Sequence, residues 1–311
     1  MKALEKLHEI SKTLRPFFIE SHNKEAEMIL LNALDMNVID IYRDDPELTD
    51  EQMSLLESVV SRRINREPLQ YILGHVDFRG LRLHVGPGVL IPRPETELMA
   101  ELAITRVGAY RNKPLRQPVT HHPSPITILD LCTGSGCLAL ALAKEFPDVQ
   151  VFGIDVSEIA LGYARRNADS NGINNITFLH GDLFEPLYRR GYPVPTQIPK
   201  HCTFDLIISN PPYIKSDDIK NLQTEIKNWE PINALDGGAD GLDYYKMIIP
   251  SARQFLKPGG MLILELGIDC ADAVKKMSED AGYSGIELVK DYAGIERIAA
   301  GEWSGKVPAV R

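Results

Sequence analysis

The chain predicts an α/β fold, a parallel sheet with helices on both faces, preceded by a small helical domain and a connecting β-hairpin. Three observations carry this. From Ile126 onward, apolar runs of strand length alternate with amphipathic runs of helix length, as in successive β–α units. A glycine-rich turn, Gly134-Ser135-Gly136, closely follows the first such run. Before residue 74 the apolar residues recur only at helical spacing.

In the N-terminal domain, residues 1–74, Leu4, Leu7 and Leu14 mark one apolar face, and Ala26, Ile29, Leu30 and Ala33 mark another. Thr49 followed by Gln52 fits a capping box. It opens a helix with Leu55, Leu56, Val59, Val60 and Ile64 at i, i+3/i+4 steps. Pro68 suits the start of a short helix and Gly74 its end. The period then changes over residues 75–92: His75–Phe78, a turn at Arg79-Gly80 and Leu81–Val85 read as a hairpin. The third domain, residues 93–311, opens on a helix from Glu95, whose first-turn acids Glu95 and Glu97 suit the helix dipole. Leu98, Leu102 and Ala103 are expected on its buried side. Strands fit at 126–130, 150–155, 176–180, 204–209 and 260–266, and helices near 136–146, 157–170 and 269–281. The Pro-rich stretches 108–125 and 185–202 read as surface connections.

Bulk properties exclude several function classes. No apolar run approaches the ~20 residues that span a bilayer, and the N-terminus lacks the apolar core of a signal peptide. A cytoplasmic, non-membrane protein is expected. The net charge is −9, and basic residues come only in short doublets, Arg62-Arg63, Arg165-Arg166 and Arg189-Arg190. A dedicated nucleic-acid reader usually carries a basic face, so direct nucleic-acid binding is not expected. Cys132, Cys137, Cys202 and Cys270 form no C-x-x-C or zinc-spaced cluster and read as small buried residues. His121-His122 falls in a Pro-rich loop. No metal site is expected.

The segment Ile126–Asp130 leads through Leu131 into Cys132-Thr133-Gly134-Ser135-Gly136, a strand running into a glycine-rich turn and a helix. Such a turn lets backbone approach a ligand at the C-terminal end of a parallel strand. The next strand ends in Asp155, where a carboxylate can take ribose hydroxyls. Gly134-x-Gly136-x-x-Ala139 also satisfies a dinucleotide fingerprint, so a dehydrogenase competes. Two acids favour S-adenosylmethionine. Asp130 lies beside the loop, where it can meet an ammonium group and would repel a pyrophosphate. Asp182, followed by Leu183, ends the third strand and can accept from an adenine amino group, or else cap a helix.

The strand Phe204–Ser209 ends in Asn210-Pro211-Pro212-Tyr213. An amide or aryl-amine nitrogen is a poor nucleophile because its lone pair is delocalised. The Asn210 side-chain oxygen and the Pro211 carbonyl can accept its two N–H bonds and stabilise the positive charge that grows on it. The prolines restrict the backbone, and Tyr213 offers an aromatic face to a planar group. The catalytic candidates are therefore Asn210, Pro211 and Tyr213, with Pro212 beside them in the substrate-binding set.

Together these residues resemble the release-factor glutamine N5-methyltransferases, often called HemK or PrmC. The resemblance spans nearly the whole chain: Arg66–Gly74, Val89–Glu97, Asp130–Gly136, Asn210–Tyr213, Glu230–Leu242 and Asp291–Arg297. It implies a Rossmann-like methyltransferase domain with a mostly parallel seven-stranded sheet, and a helical domain that helps dock the substrate. It further implies an S-adenosylmethionine-dependent enzyme, releasing S-adenosylhomocysteine, that methylates the glutamine of the Gly-Gly-Gln motif in class I peptide chain release factors, as a monomer. Cofactor contacts are implied at Cys132 to Gly136, Asp155, Leu183 and Asn210, and the substrate glutamine at Asn210 to Tyr213. Cys132 departs from the family pattern, where many relatives carry Gly. Arg93, Glu95 and Glu97 can form a helix start or stand at the site mouth, and Glu230 and Asp240 can brace a loop or touch substrate. The rival functions are an adenine-N6 nucleic-acid methyltransferase, which should carry a basic target-reading domain, and a ribosomal-protein glutamine methyltransferase.

Overall fold

The computed structural model describes residues 1–17, 19, 21–111, 125–188 and 203–305. Most of the two Pro-rich stretches, with His121, His122, Arg189, Arg190 and Cys202, lie outside the described residues. The chain forms two compact units: residues 1–75 with 223–229, and residues 76–222 with 230–311. The hairpin strands thus fall almost entirely in the second unit.

The first unit holds α1 (Ala3–Leu14), α2 (His22–Leu34), α3 (Val38–Asp44), α4 (Asp50–Ile64) and α5 (Leu69–Leu73). Its core joins Leu7, Ile10 and Leu14 of α1 to Ile29 and Leu30 of α2 and Leu56 of α4, the apolar stripes that helical spacing marks. The capping box is present: the Thr49 hydroxyl accepts the Gln52 N–H, and the Gln52 side chain accepts the Thr49 N–H. α5 follows directly on Pro68 and stops at Gly74, which is left-handed at φ 79°.

The Arg62-Arg63 doublet is no basic patch. Arg63 is buried, and its guanidinium donates to Glu25 at 2.6 Å and to Glu225 at 3.0 Å, while Arg66 donates to the other Glu225 oxygen at 2.6 Å. Arg62 donates to Glu67 at 2.8 Å. Segment 223–229 therefore belongs with the helices through charge pairing.

The second unit opens with a two-stranded sheet, β1 (His75–Phe78) and β2 (Leu81–His84). Arg79 and Gly80 both take positive φ, 46° and 71°, the conformation that matches a tight hairpin to strand twist. Then come α6 (Pro94–Arg111), β3 (Thr127–Leu131), α7 (Cys137–Glu145), β4 (Gln150–Asp155), α8 (Glu158–Ser170), β5 (Ile176–His180), α9 (Glu185–Tyr188) and β6 (Phe204–Ser209). After α10 (Thr224–Trp229) follow α11 (Asp243–Ala252), β7 (Leu256–Glu265), α12 (Ala271–Asp280), β8 (Tyr283–Lys290) and β9 (Glu296–Trp303). The seven-stranded sheet runs β5-β4-β3-β6-β7-β9-β8. β5 through β7 are parallel, and β9 pairs antiparallel with both β7 and β8.

Alternate strand residues feed two cores. Ile128, Ile208 and Ile263 meet α6 and α7 on one face. Leu129, Ile207 and Leu264 meet α11 and α12 on the other. Every residue of β6 is buried, so it reads as a continuous apolar run rather than an alternating one. β7 starts at Leu256, earlier than the apolar run alone indicates, because Pro258-Gly259-Gly260 is absorbed into an irregular pairing with β6. The buried side of α6 also differs from expectation. Thr96, Met99, Ala100, Ala103 and Val107 are buried, whereas Leu98 and Leu102 are only half-buried. Among the described residues, no helix is long and apolar enough to cross a membrane.

Replacing Glu225 with Ala should leave Arg63 and Arg66 short of a charged partner. The unfolding free energy is expected to drop by about 1.5–3 kcal/mol, the usual worth of hydrogen bonds to charged groups. Urea denaturation measures this, and an unchanged midpoint would mean that the pairing contributes nothing to stability.

Candidate active site

The sheet order reverses at β3: the chain passes to β4 and β5 on one side, then returns through β6 to β7 on the other. Ligands bind in the crevice outside the carboxyl ends of strands at such a switch point. Here the ends are Leu131 and Ser209, which are paired in register, and the Ser209 hydroxyl donates to the Leu131 carbonyl at 2.8 Å. A cleft opens there, lined by the segments that follow β3, β4, β5 and β6, where small-molecule sites of open α/β sheets lie.

Of the expected cofactor residues, Cys132, Thr133, Gly134 and Ser135 line the cleft from the β3–α7 turn. Asp155, Asp182 and Leu183 line it from the ends of β4 and β5, and Asn210 and Pro212 from the end of β6. Asp130, Gly136, Pro211 and Tyr213 are not in its wall. Gly136 starts α7 at φ 82°, packed so closely that a Cβ would sit 3.2 Å from Ala164. Asp130 lies beneath the turn. Its Oδ2 accepts from the Thr133 hydroxyl at 2.6 Å and the Ala139 N–H at 3.2 Å. Its Oδ1 is buried with no hydrogen-bond partner among the described residues. Burial pushes the Asp130 carboxyl up to about 7 against the pull of those two donors.

Asp155 shapes the turn from the other side, accepting the Gly134 N–H at 2.8 Å and the Ser157 N–H at 2.8 Å. Burial raises its pKa while these backbone donors oppose the rise. Asp182 is exposed at the cleft, and α9 begins only at Glu185, whose N–H goes to the Asp182 main-chain carbonyl. The Asp182 side chain is thus not spent as a helix cap. The charged residues in the wall are Asp155, Asp182 and Arg93, and Arg93 is already paired with Glu230. Among the described residues, no unpaired cation awaits a pyrophosphate, and the acids suit a cationic ligand.

Cys132 takes φ 57°, a left-handed conformation that costs a non-glycine residue about 1–2 kcal/mol. Glycine, expected at that position from the family resemblance, would adopt this conformation without that cost. Among the described cysteines, Cys132 and Cys137 are half-buried in the cleft wall and Cys270 is fully buried. The reading of every cysteine as a core residue therefore fails for these two, because the β3–α7 turn faces the cleft. Burial raises both thiols far above their ordinary value.

The Asn210–Tyr213 loop is clamped on two sides. The Ile214 N–H donates to Leu235, the Gly237 N–H donates to Ile214, and Ser216 bonds to Gly238. Gly237 approaches so closely that a Cβ would lie 2.7 Å from the Tyr213 Cα. The opposite clamp is polar and was not singled out in the sequence. Asn210 Nδ2 donates to the Thr96 hydroxyl oxygen at 3.3 Å. The Thr96 hydroxyl donates to Glu265 at 2.8 Å, and the Tyr213 hydroxyl to the other Glu265 oxygen at 3.2 Å. Thr96 and Glu265 are both buried. Burial pushes Glu265 up to about 7, opposed by its hydrogen bonds from Thr96 and Tyr213. Its signal was legible: Glu265 is an acid ending a parallel apolar strand, as Asp155 is. Glu230 proves to be a brace, buried and accepting from the Ile91 N–H and from Arg93.

Two family models match the chain, a methyltransferase domain over residues 123–298 and a PrmC N-terminal domain over residues 5–74. The chain is 43% identical, over 96% of its length and 97% of the relative's, to a release factor glutamine methyltransferase of Thermodesulfovibrio yellowstonii. A release factor glutamine methyltransferase of Geobacter sulfurreducens is 40% identical over 91% of this chain and 90% of its own.

The chain belongs to the release factor glutamine methyltransferase family.

As a methyltransferase of this family it uses S-adenosylmethionine, which resolves the ambiguity of the glycine turn against a dinucleotide. The residues present fit that group: an acid-lined wall, and beneath the turn a buried Asp130 oxygen that lacks a donor.

Two outcomes follow for stability. Cys132→Val places a β-branched residue at φ 57° and should lower the unfolding free energy by about 1–2 kcal/mol, whereas Cys132→Gly should stay within about 1 kcal/mol of the parent. A Val variant as stable as the parent in urea denaturation would refute the strain. Asp130 and Glu265 ordinarily titrate at 3.8 and 4.5 and are pushed up to about 7. Between about pH 4 and pH 7 the native chain keeps protons that the unfolded chain has released, so the unfolding free energy falls as pH rises through that window. Glu265→Gln removes one share of this, and its stability should fall less steeply over that range; equal slopes would refute the assignment.

Proposed function

We propose that this chain transfers the methyl group of S-adenosylmethionine to the side-chain nitrogen of the glutamine in the Gly-Gly-Gln motif of class I peptide chain release factors. S-adenosylhomocysteine leaves as the second product. The observation that carries the reading is Asn210, which lines the cleft at the switch point while its amide nitrogen is held from behind. When bound, the cofactor supplies a methyl group on a sulfonium, already an activated leaving group.

The protein's own task is to orient an unreactive amide. The Asn210 side-chain oxygen accepts one N–H of the substrate amide, and the Pro211 carbonyl accepts the other. Both acceptors strengthen as positive charge grows on the nitrogen, so they act more in the transition state than in the ground state. Pro211 and Pro212 restrict the backbone that aims these groups. Tyr213, tied to Glu265, anchors the loop. Asp155 takes the ribose hydroxyls, and Asp182 with Leu183 receives the adenine. Asp130 meets the cofactor's ammonium group, the donor its buried Oδ1 otherwise lacks.

The helical unit docks the release factor. The match of residues 5–74 to the PrmC N-terminal domain supports this, as do Ile39 and Tyr42 of α3, exposed at 75% and 55%. The enzyme works as a cytoplasmic monomer and without direct contact to nucleic acid; the last point is supported by its charge of −9 and the pairing of Arg62 and Arg63.

The test is methyl transfer from labelled S-adenosylmethionine to an unmethylated class I release factor, with the modified residue located by mass spectrometry. Label is expected on the Gly-Gly-Gln glutamine. Asn210→Ala should lower turnover by about 10²–10³-fold, as loss of one oriented polar group does elsewhere, with cofactor affinity nearly unchanged. Asp155→Ala should chiefly weaken cofactor binding. Label on another residue, or full turnover in Asn210→Ala, would overturn the reading.

A further inference from the structure

The side-chain amide of Asn has a donor end and an acceptor end of nearly the same shape, and only the acceptor end can serve a substrate N–H. Something must decide which end faces the cleft. In its charged form, above about pH 7, Glu265 can only accept, so it requires the single Thr96 hydroxyl proton, donated at 2.8 Å. With that proton committed, the Thr96 oxygen is left to accept, and Asn210 must turn its Nδ2 toward it, at 3.3 Å. The Asn210 oxygen is then the end that remains for the cleft. The same carboxylate takes the Tyr213 hydroxyl at 3.2 Å, so a single buried acid holds both ends of the Asn210–Tyr213 loop. Thr96 and Glu265 are 1% and 2% exposed, Thr96 at the cleft wall and Glu265 behind it.

We infer that Glu265, acting through the Thr96 hydroxyl, sets the polarity of the Asn210 amide, and that both are positioning residues for methyl transfer. The inference rests on the reading of Asn210 given above. Glu265 is not in the cleft wall and acts only through Thr96, which borders the cleft. Without the Thr96 hydroxyl the amide can sit either way round, and in the reversed state its NH₂ group opposes the substrate's own N–H.

The full-length enzyme tests this with labelled S-adenosylmethionine and an unmethylated class I release factor. Thr96→Val, equal in shape but without the hydroxyl, should lower kcat by about 10–100-fold, the usual effect of removing a group that orients a functional side chain. The KM for the release factor and the Kd for the cofactor should stay within about twofold. Thr96→Ser, which keeps the hydroxyl, should restore most of the rate. The decisive readout is non-additivity. In an Asn210→Ala background, Thr96→Val should change kcat by less than about twofold, because the residue it orients is gone.

A Thr96→Val enzyme with unchanged kcat would overturn the inference, as would an equal loss with and without Asn210. If Thr96→Val does not fold, Glu265→Gln carries the same comparison, since its amide no longer forces the Thr96 proton in one direction. Full turnover in Asn210→Ala alone would instead remove the underlying reading of Asn210, so the two failures are distinguishable.

Discussion

The reversal of strand order at β3 is the constraint on which the rest of this molecule depends. A crossover helix covers the end of its own strand, so strands wound in a single direction leave no opening. Here the chain leaves β3 toward β4 on one side and returns from β5 to β6 on the other, and the carboxyl ends of β3 and β6 stand side by side without cover. The two functional loops have to emerge there. Cys132–Gly136 follows β3, Asn210–Tyr213 follows β6, and the in-register pairing of Leu131 with Ser209 fixes their separation.

An open crevice of this kind gathers acids, and those acids are costly until a cation answers them. Asp130 and Glu265 are nearly fully buried and are pushed up to about 7, because burial disfavours the charged form. Each is retained for a geometric task. Asp130 ties Thr133 to the start of α7, and Glu265 ties α6 to the loop after β6. Such sites trade stability for preorganisation, and the left-handed Cys132 adds to the same cost. The glycines at 237 and 267 serve the complementary role, letting backbone and ring close around Tyr213 where any side chain would collide.

Much of this was legible in the chain. The five parallel strands stand out because buried parallel strands are unbroken apolar runs bounded by turn residues, as in Phe204–Ser209. Asp155 and Asn210 are legible because a polar residue that ends such a run has few structural reasons to be there. β8, β9 and α11 were not located individually, since their antiparallel or half-exposed patterns lack that continuity. Thr96 and Met99 were not marked on the buried face of α6, where Ala103 falls as expected while Leu98 and Leu102 flank it half-buried. Glu265 lay unremarked at the end of β7, whose apolar run was read at 260–266 without its start at Leu256.

The sequence by itself determined the succession of elements, the cofactor turn and the Asn-Pro-Pro-Tyr loop, because local period and backbone chemistry are written in neighbouring residues. Only the tertiary structure decided which distant groups meet. It joined Thr96 to Glu265 and to Asn210, each more than a hundred residues away along the chain, and tied Asp130 beneath the turn to Thr133 and Ala139. It also drew segment 223–229 to the helical unit through Glu225. Hydrogen bonds and ion pairs between remote positions depend on direction and distance in the folded chain, and a one-dimensional pattern carries neither.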